Sequence, residues 1–344
     1  MKKYLWVFPL IITTSLLWLS YPSIAGEDRI DWNKIKNHSV KLFYPGVVSW
    51  EFLNSEDHRL GGKNIQRGKK DCVDCHLSKA GEFDLQGDGI ANGKLKMKNS
   101  QKPFEPEPIS GKNGFLNLNV QAAYDEEYIY IKLQWQSQGS SWNNAKLSDD
   151  GLVDRIAIQL SHANYDKGYL NRYGCFVTCH NDLNSMPESP SKDKVKGQSY
   201  YGALKRDDVR LYAYYTRNGG WADIKKTDDL KTILKDNGLI DLWKVEFNGK
   251  TAAAEDGWIL EDRRKDEKYD IKAEGSWDNG KYTVVIKRKL QTNDQRDVQL
   301  KEGDTIIFGV AVHDEKTNHR RHYVNLPVTI GIGTEGAIKA EKVK

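Results

Sequence analysis

One five-residue segment, Cys72-Val73-Asp74-Cys75-His76, constrains this chain more than any other feature. Two cysteines separated by two residues and followed at once by histidine form the C-x-x-C-H pattern of covalent haem attachment. A single short turn presents both thiols to one haem edge, where each sulfur bonds a vinyl group, and the histidine lies under the iron. With four cysteines and eight histidines in 344 residues, chance produces the pattern about once in a thousand such sequences. We therefore predict a c-type haem on Cys72 and Cys75, with His76 as an iron ligand.

Two other interpretations of this segment are a zinc knuckle and a redox dithiol. A zinc knuckle needs a second pair of ligands nearby, and none follows within the next twenty residues. The histidine directly after the second cysteine favours haem over both.

A haem that carries electrons needs a sixth iron ligand, because an open position binds small molecules instead. His58 lies shortly before the motif, in a glycine-containing loop that can fold back over the haem. We predict His58 as this ligand. Met97, in the lysine-rich stretch 94–98, is the alternative.

The two remaining cysteines lie in a second, longer pattern, Cys175-Phe176-Val177-Thr178-Cys179-His180. It is a C-x-x-x-C-H segment, which is rarer as a haem site. Three interpretations are open: a second covalent haem on Cys175 and Cys179 with His180 as a ligand, a local disulfide, or a non-covalent haem beside a disulfide. We favour the covalent haem. The candidates for its other axial ligand are Met186, His313, His319 and His322.

The N-terminus has the pattern of a secretory signal. Two lysines precede an apolar run over residues 4–19, and small residues at Ser23 and Ala25 prepare a cleavage site before Gly26. The alternative is an uncleaved membrane anchor, because the run is almost long enough to span a bilayer. We predict cleavage after residue 25 and export to the periplasm or an equivalent compartment, with no membrane span left in the mature protein.

Charge excludes a basic nucleic-acid binder, since 52 basic and 48 acidic residues nearly cancel. Residues 26–110 are rich in loop-forming residues, contain the C-x-x-C-H motif and end in the proline-rich stretch 102–108. Beyond them, apolar residues alternate over 129–135, 156–160 and 306–312, and Asp278-Asn279-Gly280 marks a hairpin turn. We predict an N-terminal c-haem segment over 26–110 and an antiparallel β-sandwich over 111–344.

Several segments resemble a known family: Phe43 to Glu51, Asp57-His58, Asp154 to Ile158, Cys179 to Pro187 and Phe308 to Asp314. The family comprises periplasmic cytochromes related to the haem-binding gamma subunits of DMSO-reductase-type molybdenum enzymes. Among those enzymes are ethylbenzene dehydrogenase, dimethylsulfide dehydrogenase, selenate and (per)chlorate reductases and nitrite oxidoreductase. The resemblance implies a β-sandwich that holds haem between loops at one end.

In the b-haem gamma subunits a methionine and a lysine ligate the iron, and the matching positions here are Met186 and His322. Cys175, Cys179 and His180 depart from that pattern. If the second haem is covalent, the resemblance implies that His180 takes the place of Met186 opposite His322. Otherwise Met186 and His322 hold a b-type haem.

These observations predict a dihaem electron-transfer protein. The resemblance implies a gamma-like subunit of a molybdenum oxidoreductase of the nitrite oxidoreductase or nitrate reductase type. It would pass electrons between an iron–sulfur subunit and a soluble cytochrome. The alternative is a stand-alone haem enzyme with one five-coordinate haem that acts on a small molecule. A third class, a disulfide-bonded β-sandwich binding module, predicts no haem.

Overall fold

The structure is a computed structural model, and it describes the chain in separate stretches. These are residues 30–44, 58–67, 69–70, 72–76, 85–86, 89, 94, 111–143, 153–165, 170, 191–197, 202–203, 205, 216, 218, 223–261, 263–314 and 322–344. Everything below refers to them. No helix within these stretches is long and apolar enough to cross a membrane.

The described residues are mainly β-structure. Their strands are β1 His38–Phe43, β2 Phe115–Tyr124, β3 Tyr128–Gln136, β4 Arg155–His162, β5 Ile240–Asn248, β6 Thr251–Ile259, β7 Arg263–Lys265, β8 Lys272–Asp278, β9 Lys281–Lys289, β10 Thr305–His313, β11 Tyr323–Asn325, β12 Val328–Ile332 and β13 Ile338–Lys342. Their helices are α1 Arg59–Gln66, α2 Val73–His76, α3 Ser140–Asn143, α4 Lys192–Gly197 and α5 Thr227–Lys235.

All of these strands are joined by hydrogen bonds in the order β7-β6-β5-β4-β10-β11-β1-β2-β3-β9-β8, with β12 and β13 branching between β10 and β2. Pairing is antiparallel except for β12 with β13 and β13 with β2, which are parallel. The array folds over on itself, because Phe247 of β5 lies 4.5 Å from Tyr282 of β9 and 5.8 Å from Trp135 of β3 between ring centres. Strands far apart in the order thus pack face to face, as in a sandwich.

The predicted strands are confirmed. The apolar residues of the alternating segments are all buried in one core: Ile129, Ile131, Leu133, Trp135, Ile156, Ile158, Leu160, Ile306, Phe308, Val310 and Val312. Lys132 and Gln134, between them, are only half-buried. The hairpin of β8 and β9 also forms, with Asn279 and Gly280 both at positive φ in its turn. This is the backbone that an Asn-Gly turn provides.

One strand was not predicted. β1 lies inside the segment 26–110, and it pairs with β2 over its whole length and with β11 on its other side. The chain just before it also packs on the sheet, since Gln121 Nε2 donates to the carbonyls of Trp32 and Ile35. The N-terminal segment therefore contributes a central strand to the sandwich as well as the haem motif.

One end of the sandwich holds a group of acidic side chains around a buried ion pair. Arg288 and Asp241 form the pair, and both are fully buried. The surrounding carboxylates are Asp256, Asp266, Asp270 and Asp297. Burial, reinforced by neighbouring carboxylates, raises the pKa of Asp266 and of Asp297 to about 6.

These raised pKa values predict how stability depends on pH. A carboxyl group whose pKa is higher in the folded than in the unfolded state binds its proton more tightly when the protein is folded. It therefore stabilises the fold fully below pH 4, and this contribution is lost as the pH rises through 6. Asp297→Asn should therefore raise the free energy of unfolding at pH 8 by about 1–2 kcal/mol and change it little at pH 4. Urea unfolding at both pH values measures this. Asp278→Asn, in the exposed hairpin turn, is the control, and an equal effect of both variants would contradict the prediction.

Candidate haem-binding sites

The first candidate haem site comprises four residues on or beside two short helices: His58, Cys72, Cys75 and His76. His58 immediately precedes α1, and the motif forms α2. The amide of Lys69 donates to the carbonyl of Asn64, which turns the chain at the end of α1. The amides of Cys75 and His76 both donate to the carbonyl of Cys72. The motif is thus one helical turn, as its spacing predicts.

The helical turn suits thioether formation. Residues three apart on a helix lie on the same face, so Cys72 and Cys75 project to one side. Cys72 is half-buried and Cys75 is exposed. Both sulfurs could therefore reach the same haem.

The imidazoles of His58 and His76 have the spacing of two ligands on one iron. Their ring centres lie 6.4 Å apart and their planes differ by 6°. Two imidazoles on opposite sides of a metal have centres about 6.2 Å apart, since each metal–nitrogen bond is about 2.0 Å and a ring centre lies about 1.1 Å further on. The described residues therefore fit a haem with two histidine ligands. Met97 lies outside the described residues.

Gly61 borders this site, although the sequence did not identify it as a site residue. A Cβ atom built on Gly61 would lie 2.4 Å from Cε1 and 2.7 Å from Nε2 of His58. The imidazole therefore occupies the space where a side chain at position 61 would begin.

The second candidate haem site comprises the segments 175–186 and 313–322. Of its predicted ligands, Cys175, Cys179, His180, Met186 and His319 lie outside the described residues. His313 is half-buried at the end of β10, and His322 is 5% exposed just before β11. Their rings stack with centres 4.2 Å apart and planes at 20°. That separation is too short for the two rings to ligate opposite sides of one iron.

A neighbouring arginine distinguishes the two histidines. Arg155 Nη2 lies 3.1 Å from Nδ1 of His313. A guanidinium only donates hydrogen bonds, so Nδ1 accepts and the proton of the neutral ring is on Nε2. A protonated nitrogen does not ligate iron, which leaves His322 as the better ligand of the pair. Sequence reasoning missed Arg155, because the β4–β10 pairing that brings it to His313 joins positions far apart in the chain.

The end of β10 is firmly anchored beside these histidines. Asp314 is buried and accepts hydrogen bonds from Trp135 Nε1 at 3.2 Å and from Ser137 Oγ at 2.8 Å. Lys112 Nζ donates to the backbone carbonyl of Asp314 and lies over the ring of Tyr323, 5.0 Å from its centre. These contacts fix the position of Asp314, directly after His313.

Strand register sets a condition on the second site. In the antiparallel pair of β4 and β10, Arg155 lies opposite His313 and His162 lies opposite Ile306. The chain thus leaves β4 at the end far from His313, and Leu170 still packs there against Ile307. His313 lies six positions after Ile307 on β10, so the two residues are about 20 Å apart along the strand. A haem that joins the two segments needs the chain after Leu170 to run back along the sheet.

Comparison with known proteins places this chain among haem proteins. The sequence profile of the family described as ethylbenzene dehydrogenase matches residues 30–269 and 259–325. Cytochrome c-552 of Stutzerimonas stutzeri is 28% identical over 313 residues, which cover 91% of this chain and 90% of that protein. Cytochrome c-551 of Rhodocyclus tenuis is 25% identical over 313 residues, which cover 91% and 99%.

Among solved structures, a putative carbohydrate-binding protein from Bacteroides uniformis aligns with 64% of this chain and 72% of its own. Its TM-score is 0.31 and its identity is 10%. A similarity this low says nothing about the fold or the ligands of this chain.

Proposed function

The chain belongs to the ethylbenzene dehydrogenase family and is an electron-transfer haem protein related to cytochromes c, and from this premise we propose that it carries two haems. The observation that best supports the first of these haems is the His58–His76 pair, whose spacing and parallel planes suit one six-coordinate iron. Bound haem supplies one-electron chemistry, through the ferric and ferrous states of its iron.

The residues of the first haem site have separate roles in this proposal. Cys72 and Cys75 would hold the haem through two thioether bonds, so that it would stay bound in both oxidation states. His76 and His58 would both ligate the iron and would leave no position on it for a small molecule. A site closed in this way exchanges electrons without binding a substrate, which is the role of a carrier.

We propose that the second haem is attached through Cys175 and Cys179, with His180 and His322 as ligands. The hydrogen bond from Arg155 to His313 supports His322 over its neighbour. The alternative is a b-type haem between Met186 and His322. Two imidazoles give a lower potential than an imidazole with a thioether, so the ligand pair decides which way electrons run between the haems.

The family supports a proposal for the partners. Because the chain resembles the haem-binding gamma subunits of molybdenum enzymes, we propose a complex with iron–sulfur and molybdenum subunits, of the nitrite oxidoreductase or nitrate reductase type. A soluble cytochrome is the proposed partner on the other side. We also propose export through the signal at residues 1–25, which lie outside the described residues.

Ligand binding by the reduced protein tests the carrier role. With every iron six-coordinate and low-spin, we expect the visible spectrum of the dithionite-reduced protein to be unchanged by carbon monoxide. The spectrum of the oxidised protein should likewise be unchanged by cyanide. Stoichiometric binding of either ligand by the intact protein would favour the alternative function, a haem enzyme with an open iron site.

A substitution at His322 tests the second haem site. We expect His322→Ala to make one haem high-spin and to leave the spectrum of the other unchanged, since the first haem site uses different residues. His313→Ala is the matched control, because it removes the stacked neighbour but not the proposed ligand. The assignment fails if His313→Ala opens an iron site and His322→Ala does not.

A further inference from the structure

We propose that Gly61 is a positioning residue: because it has no side chain, the His58 imidazole can lie parallel to that of His76, which sets the relative orientation of the two ligand planes. The proposal depends on the first haem site proposed above. It concerns the electronic state of that haem and not its presence.

The backbone at position 61 gives no reason for glycine. Gly61 lies in the first turn of α1, and its φ is not among the positive values found at other glycines of the described chain. In a helix, glycine is less favourable than alanine because it loses more conformational freedom on folding. A residue with a side chain could therefore adopt this backbone, and helix stability alone would favour it.

The space beside Gly61 does give a reason. A Cβ atom there would lie 2.4 Å from His58 Cε1, 2.7 Å from Nε2 and 3.1 Å from Nδ1. Real Cβ atoms essentially never come within 3.0 Å of another group, so an alanine requires the imidazole to move. The Cε1, Nε2 and Nδ1 atoms of His58 thus occupy the space that a side chain at position 61 would fill, so any such side chain would force the ring into another orientation.

The space beside Gly61 affects the rotation of the imidazole about its bond to iron, which ligation itself does not fix. A bond from an imidazole nitrogen to iron fixes where the ring lies, but the ring can still turn about that bond. His76 is held by the helical turn of the motif and by its place next to Cys75. The missing side chain at Gly61 leaves room for the His58 ring in its present orientation, in which the two imidazole planes differ by only 6°. Such outer contacts orient metal ligands and tune the metal.

The orientation of the planes has a spectroscopic signature. Parallel imidazole planes act on the same iron d orbital and split the two upper π-type orbitals, which gives a well-resolved rhombic low-spin ferric EPR spectrum. Perpendicular planes act on both orbitals equally and give a highly anisotropic spectrum with a single large g value. The structure therefore predicts the rhombic type for the first haem.

Low-temperature EPR of Gly61→Ala tests the proposal. We expect its first-haem signal to shift from the rhombic type toward the large-g type, or to become high-spin as the ring is displaced, with a change in midpoint potential. The matched control is Gly197→Ala at the end of α4, where an added Cβ meets nothing within 4 Å. The control should retain both the spectrum and the potential.

Two results would overturn the proposal. One is a Gly61→Ala spectrum and potential equal to those of Gly197→Ala. The other, which does not depend on the folding of Gly61→Ala, is a large-g signal from the first haem of the unmodified protein. Comparison with His58→Met identifies which signal belongs to the first haem, because only that signal should change. Mass spectrometry and the optical spectrum distinguish these failures from failure of the proposed function: if haem remains on Cys72 and Cys75 and the iron is low-spin, only the role of Gly61 is contradicted.

Discussion

Replacing His58 with alanine should change the iron of the first haem site from six-coordinate and low-spin to five-coordinate and high-spin, while the haem stays attached. The physical reason is that, in the proposed site, the His58 imidazole would provide the sixth ligand, since its ring centre lies 6.4 Å from that of His76. Attachment depends on the thioethers at Cys72 and Cys75, which the substitution leaves intact. We expect the reduced variant to bind about one equivalent of carbon monoxide, where the unmodified protein binds none.

Two variants make this test specific. His38→Ala removes a half-buried histidine of β1 that belongs to neither haem site, and it should leave the spectrum unchanged. Met97→Ala tests the other candidate ligand. A low-spin spectrum in His58→Ala together with an opened iron in Met97→Ala would show that the methionine, and not His58, is the ligand.

Replacing Cys72 and Cys75 together with alanine should remove covalent haem from the first site completely. No thioether can form, and a haem held only by two histidines is lost during denaturation. The sandwich should still fold, since α1 and α2 lie outside the strands and the main apolar core draws its residues from elsewhere. Mass spectrometry of the denatured protein measures attachment, and far-ultraviolet circular dichroism measures the β-content.

The matched variant replaces Cys175 and Cys179 with alanine. It should keep the first haem and lose the second one if that haem is covalent. The account of the first site is contradicted if the Cys72/Cys75 variant retains as much covalent haem as the unmodified protein.

Most of the sandwich could be predicted from the sequence, because a strand with one buried face alternates apolar and polar residues. Ile129, Ile131 and Leu133 show that alternation clearly, and all are fully buried. β1 was missed because it is short and its partners are remote: β2 and β11 lie far along the chain. The amino-acid pattern of a six-residue strand does not indicate which distant segments it will pair with.

The candidate sites, too, could be predicted from the sequence only in part. The roles of Cys72, Cys75 and His76 depend on local spacing, which the sequence displays directly. The space that His58 needs beside Gly61 and the hydrogen bond from Arg155 to His313 depend on side-chain placement. Neither follows from a motif. The sequence placed three histidines within residues 313–322, but it did not indicate which one lies buried and which one an arginine engages.

Mass spectrometry of the purified, denatured protein and of its tryptic peptides, combined with a pyridine haemochrome assay, tests whether this chain carries two haems, one of them covalently bound to Cys72 and Cys75. We predict two haems per chain, with one haem on the peptide that contains Cys72 and Cys75 and a second on the peptide that contains Cys175 and Cys179. One covalent haem and a disulfide between Cys175 and Cys179 would favour a b-type second haem. A protein whose mass equals that of the polypeptide alone, with no haemochrome, would contradict the account.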